Sequence, residues 1–354
     1  LIMVTGDNPR TALAIARQIG LVKGDAPSVI TGPELRRLHP AQLQLALDAP
    51  EILFARVAAD QKMRIVEALK AKGHVVAVTG DGVNDAPALS AAHIGIAMGK
   101  SGTDVAKEAA DMVLLDDHFA SIVTAIEEGR AVFQNIRKFL TYVLVHNVAE
   151  LVPTLAFALF RIPLPLTPVQ ALAIDMGTDS LTALGLGVER GDPGLMRRPP
   201  RPRGERLLSL AVALRAYVFL GLFEAAAVLA AFFHVLDAGG WAYGTDLAAN
   251  DPLYRQATTA SFAAIVLLQI VNVFLCRSAW RSAFSTGLGG NPLILWGVAF
   301  EAGLLVLISY TAWGNALFGT APLPLEVWLF LLPWAAGMLA IEEARKWFVR
   351  RRSG

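Results

Sequence analysis

Six apolar stretches, each close to the about 20 residues needed to cross the hydrocarbon core of a bilayer, fill the second part of this 354-residue chain. They run over approximately 140–160, 166–188, 208–236, 259–275, 293–313 and 327–348, the fourth being the shortest. A chain with this pattern must surround itself with lipid, so the bilayer is its first expected partner. Composition agrees: 55% of residues are hydrophobic and 17% charged, against about 45–50% and about 25% in soluble domains. A net charge of +1 excludes a basic nucleic-acid-binding domain, and no nucleic-acid partner is expected. A disordered chain and a single soluble globule are excluded too.

Residues 1–128 read differently. Short apolar or β-branched runs (Leu1 to Val4, Val29 to Thr31, Ile52 to Ala55, Val75 to Val78, Ile94 to Ala97, Met112 to Leu115) alternate with helical patterns at Pro9 to Ile19, Gln61 to Lys72 and Thr103 to Ala109. That alternation predicts βαβ units and a mostly parallel sheet. The fold class is therefore α/β plus all-α membrane, with a soluble unit at 1–128 and a membrane unit at 129–354. Cys276 is the only cysteine, so no disulfide can form within the chain. The opening residues predict no signal peptide before the first strand, and the start on Leu1 reads as if cut from something longer.

Ligands of parallel sheets bind at the carboxyl ends of strands, and two strand ends here carry Thr-Gly-Asp: Thr5-Gly6-Asp7 and Thr79-Gly80-Asp81. The second continues to Leu89 as Gly82-Val83-Asn84-Asp85-Ala86-Pro87-Ala88-Leu89. Its glycines permit a tight turn beside an anion. Asp81 and Asp85 can present two carboxylates to one hard cation, as Mg²⁺ prefers, with Asn84 as a neutral donor. The alternative is an Asp-Gly turn capping a helix. Thr5-Gly6-Asp7-Asn8-Pro9 alone fits a helix cap with Pro at the first helical position. Lys62 opens a helix after a strand. It suits either a solvated face or the neutralisation of phosphoryl charge.

Ionisable residues inside spans mark function. Asn147 and Glu150 are three apart on the first span; Asp175, Thr178 and Asp179 follow at helical spacing on the second, with Gly177 between them. Pro153 releases the carbonyl of Ala149 as a further oxygen. Three carboxylates on two adjacent spans predict a cation site. Ile122 to Leu140 continues a charged helical pattern into the first span, either unbroken or broken at Gly129. An even span count puts the soluble unit and the C-terminus on one side. The connection with Arg190, Arg197, Arg198, Arg201, Arg203 and Arg206, with Arg277, Arg281 and the basic tail, makes that side cytoplasmic.

Together the strings Met3 to Asn8, Ala55-Arg56-Val57 with Lys62, Thr79 to Leu89, Gly95 to Gly99 and Ala110 to Leu115 resemble the phosphorylation domain of P-type ATPases, a branch of the haloacid-dehalogenase-like superfamily. The resemblance implies a partial haloacid-dehalogenase-like, Rossmann-type domain followed by a six-helix transmembrane bundle. It implies Mg²⁺ as cofactor and ATP as substrate, with Asp81 holding the metal and Asp85 and Asn84 supporting it. Thr5, Gly6 and Asp7 would contact the phosphoryl group and Lys62 would steady it. The family's Asp-Lys-Thr-Gly-Thr nucleophile motif does not occur in these residues. The resemblance puts it upstream, in a missing N-terminal half with the nucleotide-binding and actuator domains, so this chain alone is not expected to hydrolyse ATP.

The membrane part is similar to the type II cation pumps, the group of the calcium and sodium–potassium ATPases. Asn147-Val148-Ala149-Glu150 and Asp175-Met176-Gly177-Thr178-Asp179 match their ion-ligand positions, and Gln269 and Glu301 sit where the sodium–potassium branch has polar site residues. Asn272 stands where an Asp is common there. The resemblance implies a multi-pass pump of the cell membrane moving Ca²⁺, Na⁺, K⁺ or H⁺. The alternatives are a membrane-anchored haloacid-dehalogenase-type phosphatase, which needs its own nucleophile, and a non-catalytic membrane cation-binding fragment.

Overall fold

The computed structural model describes residues 1–202 and 204–353, which form two compact units, Leu1–Ala125 and Ile126–Gly354. Arg203, expected in the arginine-rich connection, lies outside the described residues.

The first unit alternates strands and helices: β1 (Met3–Val4), α1 (Pro9–Gln18), β2 (Ser28–Thr31), α2 (Gly32–Arg37), α3 (Pro40–Ala46), β3 (Ile52–Ala55), α4 (Ala59–Ala71), β4 (Ala77–Gly80), α5 (Ala86–Ala91), β5 (Ile94–Met98), α6 (Asp104–Ala109) and β6 (Met112–Leu114). All pairings are parallel, as strands joined by crossover helices must be. The expectation of one sheet is corrected, because the described strands form two ladders, β1-β3-β2 and β4-β5-β6. β1 has only two residues and pairs with β3. β1 and β4, the two strands leading into Thr-Gly-Asp, are therefore edge strands of separate ladders. β3 reads Ile-Leu-Phe-Ala and is buried at every position, the pattern of a strand covered on both faces. Leu35, Leu43, Phe54 and Ile65 form the core beside it. Asn8 accepts from the Arg10 amide and Pro9 follows at the first turn, so α1 starts just past the first loop.

The second unit holds α7 (Ala120–Leu159, begun within the first unit), α8 (Pro168–Ala173), α9 (Asp179–Gly187), α10 (Leu210–Ala213), α11 (Leu222–Ala238), α12 (Pro252–Cys276), α13 (Ala283–Thr286), α14 (Pro292–Tyr310), α15 (Ala312–Phe318) and α16 (Leu325–Ser353). A π-turn at Ile174–Thr178 joins α8 to α9, and a longer one at Leu214–Gly221 joins α10 to α11. Five helices among the described residues are long and apolar enough to cross a bilayer: Ala120–Leu159, Leu210–Ala238, Pro252–Cys276, Pro292–Tyr310 and Leu325–Arg352. The remaining expected span, 166–188, is helical from α8 through α9 but carries Asp175 and Asp179 around its π-turn. Those two acids lower its apolar character. The expected shortest span is instead the 25-residue α12, buried on nearly every side. Α7 runs unbroken past Gly129 and through Pro153.

Phe232, Phe262, Ile265 and Leu331 pack a large core between α11, α12 and α16. Trp296, Phe300, Val306, Leu329, Leu332 and Phe348 are exposed. Large apolar side chains facing outward from apolar helices suit lipid rather than water. Gly297 allows α14 to approach α9 closely: a Cβ there would lie 2.9 Å from the Thr182 backbone nitrogen. The basic connection after α9 is tied to α7 by Arg137 Nη1 on Glu205 Oε1 at 2.7 Å and by Arg130 Nη1 on the Leu195 carbonyl at 3.0 Å. Cys276 is buried, with Sγ 3.4 Å from Asn272 Oδ1.

Candidate functional site

In the first unit the loops after β1 and β3 are joined by hydrogen bonds at the strands' carboxyl ends. The Thr5 amide donates to the Phe54 carbonyl at 2.9 Å, the Val57 amide to the Thr5 carbonyl at 3.1 Å, and the Arg56 amide to the Asp7 carbonyl at 3.0 Å. Arg56 adopts a left-handed φ of 53° to make that bend. The Asp7 amide donates to Thr5 Oγ1 at 3.1 Å, leaving Gly6 and Asp7 exposed.

Lys62, at the start of α4, puts Nζ 2.5 Å from Asp85 Oδ1. Asp85 Oδ2 accepts from the amides of Asp81 at 3.2 Å and Gly82 at 3.1 Å. A Cβ on Gly80 would stand 2.4 Å from Asp85 Cβ, so only glycine lets the turn close over that carboxylate. Burial pushes the Asp85 carboxyl up, but Lys62 and the two amides outweigh it and hold the group below its ordinary value. Both Asp85 oxygens are thus engaged, while the Asp81 and Asn84 side chains are exposed. Among the described residues, no three acidic, His or Cys side chains converge as a metal cluster. The donors that remain are hard oxygens, which fit Mg²⁺ held by one or two carboxylates with water and phosphate completing its shell. A further carboxylate, Asp117, receives the amides of Lys100 at 2.9 Å and Ser101 at 2.8 Å and braces the loop after β5. The Lys100 amide does most to hold its pKa down at about 2.

In the membrane unit, Thr178, Asp179, Gln269 and Glu301 are all buried. Gln269 Nε2 donates to Asp179 Oδ1 at 2.6 Å, and Thr178 Oγ1 donates to Gln269 Oε1 at 3.0 Å. Glu301 lies in a second set: its Oε1 accepts from Thr182 Oγ1 at 2.5 Å, and the Tyr142 hydroxyl sits 2.9 Å from Thr182 and 3.4 Å from Glu301. Asn147 and Asp175 are exposed, while Glu150 is half-buried. The π-turn at Ile174–Thr178 replaces regular helical spacing there, and only Thr178 and Asp179 face inward. Buried oxygens Glu150 Oε1 and Glu301 Oε2 nonetheless have no hydrogen-bond partner. Unsatisfied carboxylate oxygens in an apolar bundle are costly unless a cation or proton meets them.

Sequence reasoning missed Tyr142, Thr182, His146 and Glu224. His146 Nδ1 lies 2.8 Å from Glu224 Oε1, with both side chains almost fully buried. The signal was present for Glu224, a carboxylate alone within an apolar span.

Residues 163–348 match the family model for the C-terminus of cation transporting ATPases. Residues 1–93 and 62–126 match two models of haloacid dehalogenase-like hydrolases. The chain is 36% identical over its whole length to the sodium/potassium-transporting ATPase subunit alpha of Drosophila melanogaster, covering 39% of that protein. It is 35% identical to the potassium-transporting ATPase alpha chain 2 of Oryctolagus cuniculus, covering all of this chain and 37% of that one. It is 41% identical to a probable cation-transporting ATPase F of Mycobacterium bovis, over 96% of this chain and 36% of that protein. The chain thus spans less than half the length of these relatives. With its apolar helices and parallel strand–helix unit, it is an integral membrane protein with a haloacid dehalogenase-like part, and it belongs to the family of cation transporting ATPase C-termini.

Proposed function

We propose that this chain forms the C-terminal part of an ATP-driven P-type pump that moves a metal cation or proton across the cell membrane through an aspartyl-phosphate cycle. The observation that carries this reading is the buried set Thr178–Gln269–Asp179 beside Thr182–Glu301–Tyr142. Acidic and amide groups meet there inside apolar helices, with carboxylate oxygen left unsatisfied. Asn147, Glu150 and Asp175 would complete the cation's shell from their open face. The cation belongs to the group Ca²⁺, Na⁺, K⁺ and H⁺.

In the first unit, Asp81 would hold Mg²⁺ with Asp85 and Asn84 close by, and bound Mg²⁺ would neutralise charge on phosphoryl oxygens. Lys62 brings a second positive charge to the same strand ends, and Asp85 keeps it there. Thr5, Gly6 and Asp7 offer a hydroxyl and backbone amides to a phosphoryl group. The acid that attacks ATP is not among these residues. The nucleophile, the nucleotide-binding region and the actuator region would come from an N-terminal half like that of the relatives. Arginine-rich connections favour a cytoplasmic first unit and C-terminus.

The test is ATP hydrolysis by the pump that unites this chain with a segment bearing the family's nucleophile, assayed across Ca²⁺, Na⁺, K⁺, Mg²⁺ and pH. Activation by one transported cation supports the reading. Phosphatase activity of the chain by itself, indifferent to every cation, points to the membrane-anchored phosphatase instead.

A further inference from the structure

Glu224 and His146 belong to none of the ion-ligand positions, yet they form the most deeply buried carboxylate–base pair among the described residues, at 0% and 1% exposure. They lie on α11 and α7. His146 Nε2 and Glu224 Oε2 are both buried without partners, so the link between Nδ1 and Oε1 at 2.8 Å is the single polar restraint on the imidazole ring. That ring packs edge-on against Tyr142, with centroids 4.5 Å apart and planes at 77°. The Tyr142 hydroxyl in turn reaches Thr182 and Glu301. The Thr182 hydroxyl also lies 3.1 Å from the Asp179 carbonyl. A continuous buried chain thus runs from Glu224 on α11 through His146 and Tyr142 on α7 to Thr182 on α9 and Glu301 on α14. Gly221, just before α11, allows the approach to α7, since a Cβ there would lie 2.8 Å from Val148 Cβ.

We propose that Glu224 is a positioning residue for the cation site: it clamps His146, which holds Tyr142 against Thr182 and Glu301. This rests on the cation-site reading above. Without the carboxylate, both ring nitrogens would be buried and unpartnered, a state that side chains leave by rotating toward another acceptor. The ring would swing from its place against Tyr142, and Tyr142 would lose its aim at Glu301. The effect appears as weaker cation binding more than as slower turnover, because the phosphorylation residues are untouched.

The experiment uses the complete pump and the cation found to activate it. Glu224→Leu is expected to raise the half-saturating cation concentration about tenfold, with a much smaller fall in maximal rate. Glu224→Gln still accepts from His146 Nδ1–H and is expected to restore most of the affinity. Combined with Tyr142→Phe, Glu224→Leu should add little further loss, because both break one chain. Additive losses, or a Glu224→Gln variant that fails as badly as Glu224→Leu, overturn the proposal. So does a Glu224→Leu pump with unaltered cation dependence. Should Glu224→Leu not fold, Glu224→Met, which also lacks the acceptor, carries the same test with and without Tyr142→Phe. Asp179→Asn is run alongside. If it too leaves cation dependence unaltered, the cation-site reading fails; if it responds while the Glu224 variants do not, the positioning role alone fails.

Discussion

Gln269 donates its amide hydrogen to Asp179 across 2.6 Å inside the helical bundle, joining two residues 90 positions apart on α12 and α9. The same amide accepts from Thr178 at 3.0 Å, so the Asp179 carboxylate sits in a fixed orientation. Replacing Gln269 with Leu leaves that carboxylate without its donor. The expected cost is about 1–2 kcal/mol of stability in detergent or lipid, with weaker cation activation in the pump. Thermal melting of the purified chain checks the first part, and an unchanged melting curve contradicts it.

Gly297 sets the spacing of α9 and α14, and through it the 2.5 Å bond from Thr182 to Glu301. Gly297→Ala would meet the Thr182 backbone nitrogen at 2.9 Å, which a flexible side chain cannot relieve by turning away. The helices must separate, at an expected about 1–3 kcal/mol. The melting temperature should fall, whereas Gly303→Ala, where no neighbouring atom lies within 4 Å, should leave it nearly unchanged.

Much of this arrangement was legible in the sequence, and the part that was not has a common cause. Thr79 to Leu89 could be read because a strand end, a glycine turn and a helix start are local events, and local geometry closes the loop on Asp85. Apolar length likewise revealed α12 and its neighbours. The inward turn of Thr178 and Asp179 against the outward Asp175 depends on a π-turn, which leaves no simple spacing signal. His146 and Glu224 are 78 positions apart and follow no shared periodicity, so their pairing emerges only from helix packing. The two separate ladders, too, reflect which strands meet in space rather than their order.

Acid should release the brace on the loop after β5. Asp117 accepts the Lys100 and Ser101 amides, and its folded pKa of about 2 lies below the ordinary 3.8. A depressed carboxylate contributes stability that is complete above 3.8 and lost as pH falls through about 2. Hydrogen exchange at neutral pH should therefore show faster exchange at Lys100 and Ser101 in Asp117→Asn. Equal protection in the two proteins at pH 7 rules the brace out.

Asp85 should behave in the same sense at the proposed phosphoryl site. Lys62 and two amides hold its carboxyl below 3.8, so its contribution is complete above that pH and fades below it. Asp85→Asn is expected to weaken protection of the Asp81 and Gly82 amides at neutral pH, with the difference from the natural chain narrowing under acid. A difference that stays constant from neutral to strongly acid pH contradicts an ionised Asp85.

The central claim is that Asp179 receives a transported cation in a pump phosphorylated from ATP. It is tested most directly by phosphoenzyme formation from radiolabelled ATP in the complete pump, with and without the activating cation. The account predicts cation-dependent labelling in the natural protein and loss of that dependence in Asp179→Asn, while Asp81→Asn lowers labelling under all conditions. Cation-stimulated labelling of Asp179→Asn equal to that of the natural protein would contradict it.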